Sequence, residues 1–340
     1  MRKGGSELDG AIQHGGNLGR ARQEFPSAPE PWIDLSTGIN PYSYPHSPIP
    51  AKAFLRLPEL DAVERLKGLA AAAYGAPSPA HIAVAPGTQI LLPMLARLRA
   101  TRGSAAILSP TYAEHAKAAS QAGYQIKDTE DLSDLEAADL AIVVNPNNPT
   151  GRLLSRSALV ALAITLAKRG GLLIVDEAFG EVSTGDSVAD VVGDGGLVVL
   201  RSFGKFFGMA GLRLGFALAS PHQVRQLEDQ LGPWAVSGPA LHIATEALSD
   251  DRWKTEMKQK LREEAQRLDC LLQQFGILVA GGTSLFRYAR HESAGFIYEH
   301  LGRHGILIRK FDGRPVDLRI GLPHEHEWDR LKHALAQFRL

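Results

Sequence analysis

The stretch "RSFGKFFGMAGLRLG" at residues 201–215 sets one lysine, Lys205, among glycines and phenylalanines, with Ser202 three residues before it and Arg213 eight residues after. A solvated lysine keeps polar neighbours, and this one has none close by; the surroundings suit an amine held in a confined space. A lysine attacks an aldehyde only when its amine is neutral, a state favoured by burial and by nearby cations. Ser202 can donate to a phosphate oxygen and Arg213 can pair with a phosphate dianion. Taken alone, the stretch reads equally well as an ordinary loop. Its companions decide.

"APGTQI" (85–90) places Gly87 and the backbone amides of Thr88 and Gln89 at a predicted helix start, a ready anion site. "IVDEAF" ends an apolar strand on Asp176, where an unpaired carboxylate would be costly. "VVNPNNPTG" (143–151) ends another strand in a turn stiffened by prolines and a glycine, presenting Asn148 as a donor. "SPTYAEH" offers Tyr112 as a flat ring for stacking. An amine, a phosphate site, an acid, an amide donor and a stacking ring together suit pyridoxal 5'-phosphate. Its aldehyde and phosphate arm sit on neighbouring ring positions, and its ring nitrogen wants a carboxylate partner.

These motifs fall where strands run into helices. "HIAVA" (81–85), "SAAILS" (104–109), "DLAIVVN" (139–145), "GLLIVDEAF" (171–179), "GLVVLRS" (196–202) and "LRLGFALAS" (212–220) alternate with helical patterns. Val/Ile/Leu runs of that kind predict an α/β fold with a mainly parallel sheet covered on both faces, whose ligands sit at the strand ends. After residue 220 a long helical region, broken near "GPWAVSGP", precedes short strands at "TSLFRYA", "GILIRKF" and "VDLRIGL". The predicted organisation is an N-terminal arm over 1–45, a large domain over 46–220 and a smaller α+β domain over 221–340.

Bulk properties exclude other classes. Lys+Arg and Asp+Glu are both 37, so no nucleic-acid surface is expected. No apolar run approaches the roughly 20 residues a bilayer span needs, and no membrane partner is expected. "MRKGGSELDGAIQHGG" carries no apolar core of a secretory signal, and Cys270 is the sole cysteine, so a reducing cytoplasm is expected. Within "EEAQRLDCLLQQFG", Cys270 reads as a small packing residue of an amphipathic helix.

On "GTQ", "PTY", "NPNNPTG", "DEAF" and "SFGKFFGMAGLRLG" the chain resembles the pyridoxal-phosphate enzymes of aminotransferase fold type I, over nearly its whole length. The resemblance implies a seven-stranded, mainly parallel sheet in the large domain and an active site at a homodimer interface. It implies Lys205 as the Schiff-base lysine, Asp176 as the pyridinium partner and Tyr112 as the stacking ring, these three being catalytic. Asn148 is implied at the phenolic oxygen, and Gly87, Thr88, Gln89, Ser202 and Arg213 around the phosphate. Arg319, in "DLRIGLP", matches the arginine that grips a substrate carboxylate.

Two departures narrow the reading. Phe179 stands where family aminotransferases usually have a tyrosine, so Asn148 alone is expected at the phenolic oxygen. Leu57, in "RLPELD", replaces a tyrosine of histidinol-phosphate aminotransferases, and the cross-subunit phosphate contact of that tyrosine is not carried over. "HGGNLGRA" (14–21) and "DLSTGINPYSYP" (34–45) resemble a decarboxylating branch of the group, which acts on L-threonine O-3-phosphate in cobalamin biosynthesis. That likeness implies a phosphorylated amino acid as substrate, bound by His14, Gly15, Gly38, Asn148, Arg309 and Arg319. The alternatives are a histidinol-phosphate type of transamination and, from another class, a cofactor-sensing regulator, for which the arm lacks a DNA-binding pattern. "PHEHEW" (323–328) reads as solvated rather than metal-binding, and Asp250 with Asp251 as a surface turn.

Overall fold

The apolar runs assemble into one sheet of seven strands: β1 (Ile82–Ala85), β2 (Ser104–Leu108), β3 (Gln125–Thr129), β4 (Leu140–Val144), β5 (Leu172–Asp176), β6 (Leu197–Ser202) and β7 (Gly215–Leu218). The computed structural model describes residues 12, 14–99 and 103–338; the first eleven residues of the expected arm lie outside these, and with them most of the segment read for a secretory signal. The strand order is β1-β7-β6-β5-β4-β2-β3. β7 alone runs antiparallel to its neighbours, and the other adjacent pairs are parallel.

Period-two alternation explains why the sheet sits between helices. Ala141, Val143, Leu173, Val175 and Val199 enter one core, and Leu140, Ile142, Ile174, Val198 and Leu200 the other. A strand buried on both faces has no polar alternation, so β4 is apolar throughout and β5 is apolar up to its terminal Asp176. β3 differs: "QIKDT" lies at the sheet edge with a mostly exposed pattern. No apolar run marked it in the sequence, because an edge strand has little surface to bury.

Register sets the site. Val144 pairs with Asp176 and Asp176 with Leu200, while Ser202 and Ala85 both pair with Gly215. The carboxyl ends of β1, β4, β5 and β6 therefore share one edge. Helices Thr88–Leu95, Glu114–Gln121 and Arg156–Lys168 follow β1, β2 and β4.

The helical stretch after residue 220 divides into Pro221–Leu231, Gly238–Ser249 and Asp251–Gln274. A second antiparallel sheet follows, of β8 (Leu278–Thr283), β9 (Phe286–Arg290), β10 (Arg309–Phe311) and β11 (Arg314–Gly321), in the order β10-β11-β9-β8. The N-terminal arm joins the two sheets. Ile33 and Asp34 pair in parallel with Ile306 and Leu307, the Gly321 amide donates to Leu35 O, and the buried Asn40 amide donates to Lys205 O. No helix among the described residues is long and apolar enough to cross a membrane.

Two local expectations are corrected, and the arm adds an element of its own. The arm contains a helix, Leu18–Glu24, capped by Asn17, whose side chain accepts from Arg20 N. Asp250 is a cap rather than a surface turn: its side chain accepts from Trp253 N at 2.9 Å and from the Tyr44 hydroxyl at 3.2 Å. Cys270 lies on the exposed face of Asp251–Gln274 and packs against no core. The helix turns its leucines inward at 261, 268, 271 and 272, and position 270 falls opposite them.

Candidate active site

The glycines and phenylalanines around Lys205 have separate tasks. Phe203, Phe206 and Phe207 are fully buried, with Phe203 and Phe207 stacked at 4.3 Å, so they clamp the short helix Phe203–Phe206 onto the core. Gly208 has φ +65°, and a Cβ there would lie 2.7 Å from Asn40 O; only glycine lets the arm come so close. Between these anchors Lys205 Nζ reaches Thr37 O at 3.4 Å. Burial, reinforced by Arg319 and Arg213 against Asp176 and Asp34, lowers the ammonium from 10.5 to about 8.

Lys205 lines a cavity of about 860 Å³ together with His14, Gly15, Gly87, Thr88, Gln89, Tyr112, Asn148, Asp176, Ser202, Arg213, Arg309 and Arg319. Gly38 does not line it, although its neighbours Thr37 and Ile39 do. It turns the arm at φ +64°, and a Cβ there would lie 3.0 Å from the Phe286 ring and 3.6 Å from the Phe179 ring.

Asp176, at the end of β5, is buried. Its Oδ1 accepts from Ala178 N at 2.9 Å, and its Oδ2 lies 2.9 Å from His115 Nε2. His115 was not singled out in the sequence, although "PTYAEH" sets it three residues after Tyr112, whose carbonyl accepts from the His115 amide at the entry to the helix Glu114–Gln121. Tyr112 donates to Gln89 Oε1 at 3.0 Å, and burial, aided by Glu114 and Asp176, pushes its phenol up to about 12. The ring stays neutral across the physiological range.

The anion site opposite is built by close approach. Gly87 has φ +89°, and a Cβ there would meet Arg213 Nη2 at 2.6 Å. Arg213 itself holds a left-handed φ of 53° while its Nη1 donates to Ala210 O. A non-glycine residue in that region costs roughly 1–3 kcal/mol and survives where the surroundings impose it. The Ser202 hydroxyl makes no capping bond to the helix that follows, and Gly87 caps Thr88–Leu95 without a side chain, so the first amides of that helix face the cavity end.

Three asparagines share the 145–151 turn. Asn145 exchanges hydrogen bonds with Leu154, and Asn147 donates to Pro110 O and Thr150 Oγ1. These two pin the turn. Asn148 is turned into the cavity, where its Oδ1 accepts from Arg319 Nη1, leaving its amide N–H groups for a ligand.

Arg319 and Arg309 stand directly opposite each other on β11 and β10. Arg319 donates to Asn148 Oδ1 and Ser36 O, and its Nε is buried without a partner. Burial, then Arg309, against Asp34, lowers Arg319 to about 10; burial and Arg20 lower Arg309 against Asp312 and Tyr298. Arg319 is buried and Arg309 half-buried, and two cations on paired positions of neighbouring strands favour an anion close by. Arg20 is a further cation that the sequence reading quoted in "HGGNLGRA" and did not single out. It lines this cavity and an adjoining one of about 260 Å³ that also includes His14, Gly15 and Arg309. Phe179 is buried against Phe286 and gives the cavity an aromatic wall with no hydroxyl. The half-buried His324 lies tilted against Tyr42 at 4.9 Å and His326 is exposed, and neither lines the cavity.

The donor set fits pyridoxal phosphate. A buried amine of lowered basicity, a carboxylate at a strand end and a glycine-opened anion site with an arginine and a serine match its three functional groups. The orphaned Arg319 Nε is a further sign that the cavity is built around anions.

Comparison with known proteins agrees with this geometry. The chain is 42% identical over 332 residues to a threonine-phosphate decarboxylase of Pseudomonas aeruginosa, spanning 96% of this chain and 98% of that protein. It is equally 42% identical to a threonine-phosphate decarboxylase of a Sinorhizobium species, over 98% and 100% of the two chains. Its fold is similar to a histidinol-phosphate aminotransferase of Sinorhizobium meliloti solved with pyridoxal-5'-phosphate, with a TM-score of 0.80 at 23% identity over 93% and 92% of the chains. The family described as aminotransferase class I and II matches residues 30–338. With its strand-end lysine, acid and anion site on a seven-stranded sheet, the chain belongs to the aminotransferase class I and II family.

Proposed function

We propose that the chain decarboxylates L-threonine O-3-phosphate to (R)-1-amino-2-propanol O-2-phosphate, a step of cobalamin biosynthesis, with pyridoxal phosphate held through Lys205. The observation that carries the reading is the pair of facing arginines, Arg309 and Arg319, in the cavity of a chain so similar to threonine-phosphate decarboxylases. A substrate with both a phosphate and a carboxylate matches that much fixed positive charge.

Bound pyridoxal phosphate supplies an electron sink for whichever substrate Cα bond stands perpendicular to its ring. Choosing that bond falls to the chain. Arg309, Arg319 and His14 would hold the substrate phosphate, leaving the carboxylate without an arginine clamp and free to be lost. Carbon dioxide then leaves in place of the Cα proton. Lys205, poised near neutrality, returns a proton to the carbon that lost CO2. Asp176, oriented by His115, holds the ring-nitrogen end, and Gly87, Thr88, Gln89, Ser202 and Arg213 hold the phosphate end. Asn148 donates to the phenolic oxygen alone, since Phe179 has no hydroxyl. Gly15 admits the arm to the site, for a Cβ there would lie 2.4 Å from Ser36 O, and Gly38 turns the arm past Phe179.

The working unit in this reading is a cytoplasmic homodimer. The exposed run Phe54, Leu55, Leu57 and Leu60 offers a second copy an apolar surface. Incubating the holoenzyme with threonine phosphate and with histidinol phosphate, and following CO2, aminopropanol phosphate and keto products, tests the reaction. A keto product without CO2 would replace decarboxylation with transamination.

A further inference from the structure

Glu114 is a buried carboxylate that belongs to none of the groups assigned above. It lies at the start of helix Glu114–Gln121 and is 8% exposed. Its Oε1 is 3.0 Å from His14 Nε2, and its Oε2 accepts from Gln89 Nε2 at 2.9 Å. Gln89 in turn accepts from the Tyr112 hydroxyl, and Lys117 Nζ stands 3.5 Å from Oε1. One carboxylate thus fastens the N-terminal arm, a hundred positions away in the chain, to the helix that opens the anion site.

A buried carboxylate needs its lone pairs satisfied, and Glu114 satisfies them through two elements that both line the cavity. With Nε2–H given to Glu114, Nδ1 is the ring nitrogen of His14 left to meet a ligand, and in the doubly protonated ring it donates to a phosphate oxygen while Glu114 balances the charge. His14 is otherwise on an exposed arm, 45% accessible, and apart from a tilted contact with the Tyr112 ring at 5.9 Å its direction is set by this carboxylate. We propose that Glu114 is a positioning residue: it holds the His14 ring so that Nδ1 meets the phosphate of the substrate. The proposal rests on the reading that the substrate is a phosphorylated amino acid.

An E114Q side chain has the same shape but one acceptor oxygen and no charge. Either His14 loses its partner, or it turns its lone pair toward the amide and meets the phosphate as a neutral ring. A lost charge-assisted hydrogen bond is worth about tenfold to a hundredfold in binding. The test is equilibrium binding of O-phospho-L-threonine to the holoenzyme, read from the visible absorbance of the bound cofactor and independent of which product forms. Expected for E114Q is a Kd raised about tenfold or more, with kcat within about threefold and pyridoxal-phosphate affinity little changed. H14A should weaken binding alike, and E114Q/H14A little further, because the two act as one unit.

Additive losses in the double variant, unchanged affinity in E114Q, or an equal loss of pyridoxal-phosphate affinity would overturn the proposal. A wild-type holoenzyme with no spectral response to O-phospho-L-threonine would remove the substrate reading beneath it. Should E114Q not fold, E114D keeps both acceptors on a shorter stem. A smaller loss that is again non-additive with H14A is expected, and additivity there is equally fatal.

Discussion

Replacing Lys205 by methionine should make the cofactor-free protein more stable near neutral pH. Burial lowers the Lys205 ammonium from 10.5 to about 8, with Arg319 and Arg213 adding to the effect. The folded state therefore binds the proton less tightly than the unfolded state does. Between pH 8 and 10.5 the unfolded chain holds more protons, so wild-type stability rises with pH across that window. Below it the full cost of the buried charge is present. A shift of this size is equivalent to at most about 3 kcal/mol at pH 7, about 2 at pH 9 and under about 0.5 at pH 10.5. Partial solvent contact of the residue trims the value at pH 7 to roughly 1.5–3 kcal/mol. Methionine adds a gain from its apolar surface that does not vary with pH, so the pH-dependent part is the diagnostic quantity. Urea denaturation of both apoproteins from pH 6.5 to 10.5 measures it. A stability difference that stays flat over this range would refute the claim that Lys205 sits in a site hostile to its charge. The same amine should carry the cofactor, so the methionine variant should also lose the visible absorbance of the holoenzyme.

Gly87→Ala should lower pyridoxal-phosphate affinity at least about tenfold, since the new Cβ displaces the Arg213 guanidinium from a φ that disfavours alanine by roughly 1 kcal/mol; cofactor titration checks it. Phe179→Tyr buries a hydroxyl beside Phe286, which should cost the apoprotein about 1–3 kcal/mol; much of that should return on cofactor binding, with a shift in the visible band, and a variant as stable as wild type without cofactor would contradict the packing described. Arg20→Gln should raise KM for the phosphorylated amino acid about threefold to tenfold with kcat little changed, which steady-state kinetics will show. Cys270→Ser should leave activity and melting temperature unaltered, and the Cys270 thiol should react with a thiol reagent in the folded protein.

The residues proposed to hold the cofactor were legible because each sits within a few positions of a strand end, and the strands were legible because a sheet buried on both faces writes itself as continuous Val/Ile/Leu runs. Ser202, Lys205 and Arg213 lie along the one connection from β6 to β7, Asp176 closes its strand and Asn148 sits in the turn after its own, so chemistry and local structure coincide in the chain. The edge strand β3 left no such trace, its residues being largely solvated. The arm helix Leu18–Glu24 was hidden because it buries only Ala21.

What the chain order determines, then, is the set of groups that one element or connection carries: an amine, a serine and an arginine between two adjacent strands, or an acid at the end of an apolar run. Tertiary structure decides the pairings between elements remote in sequence. His115 against Asp176, Glu114 against His14 and Arg309 across from Arg319 each join separate strands or helices. Residue type signals that a side chain needs a partner. Which partner it finds depends on strand order and register, set by packing of the whole sheet, and this is why the acid was read from the sequence and its histidine was not.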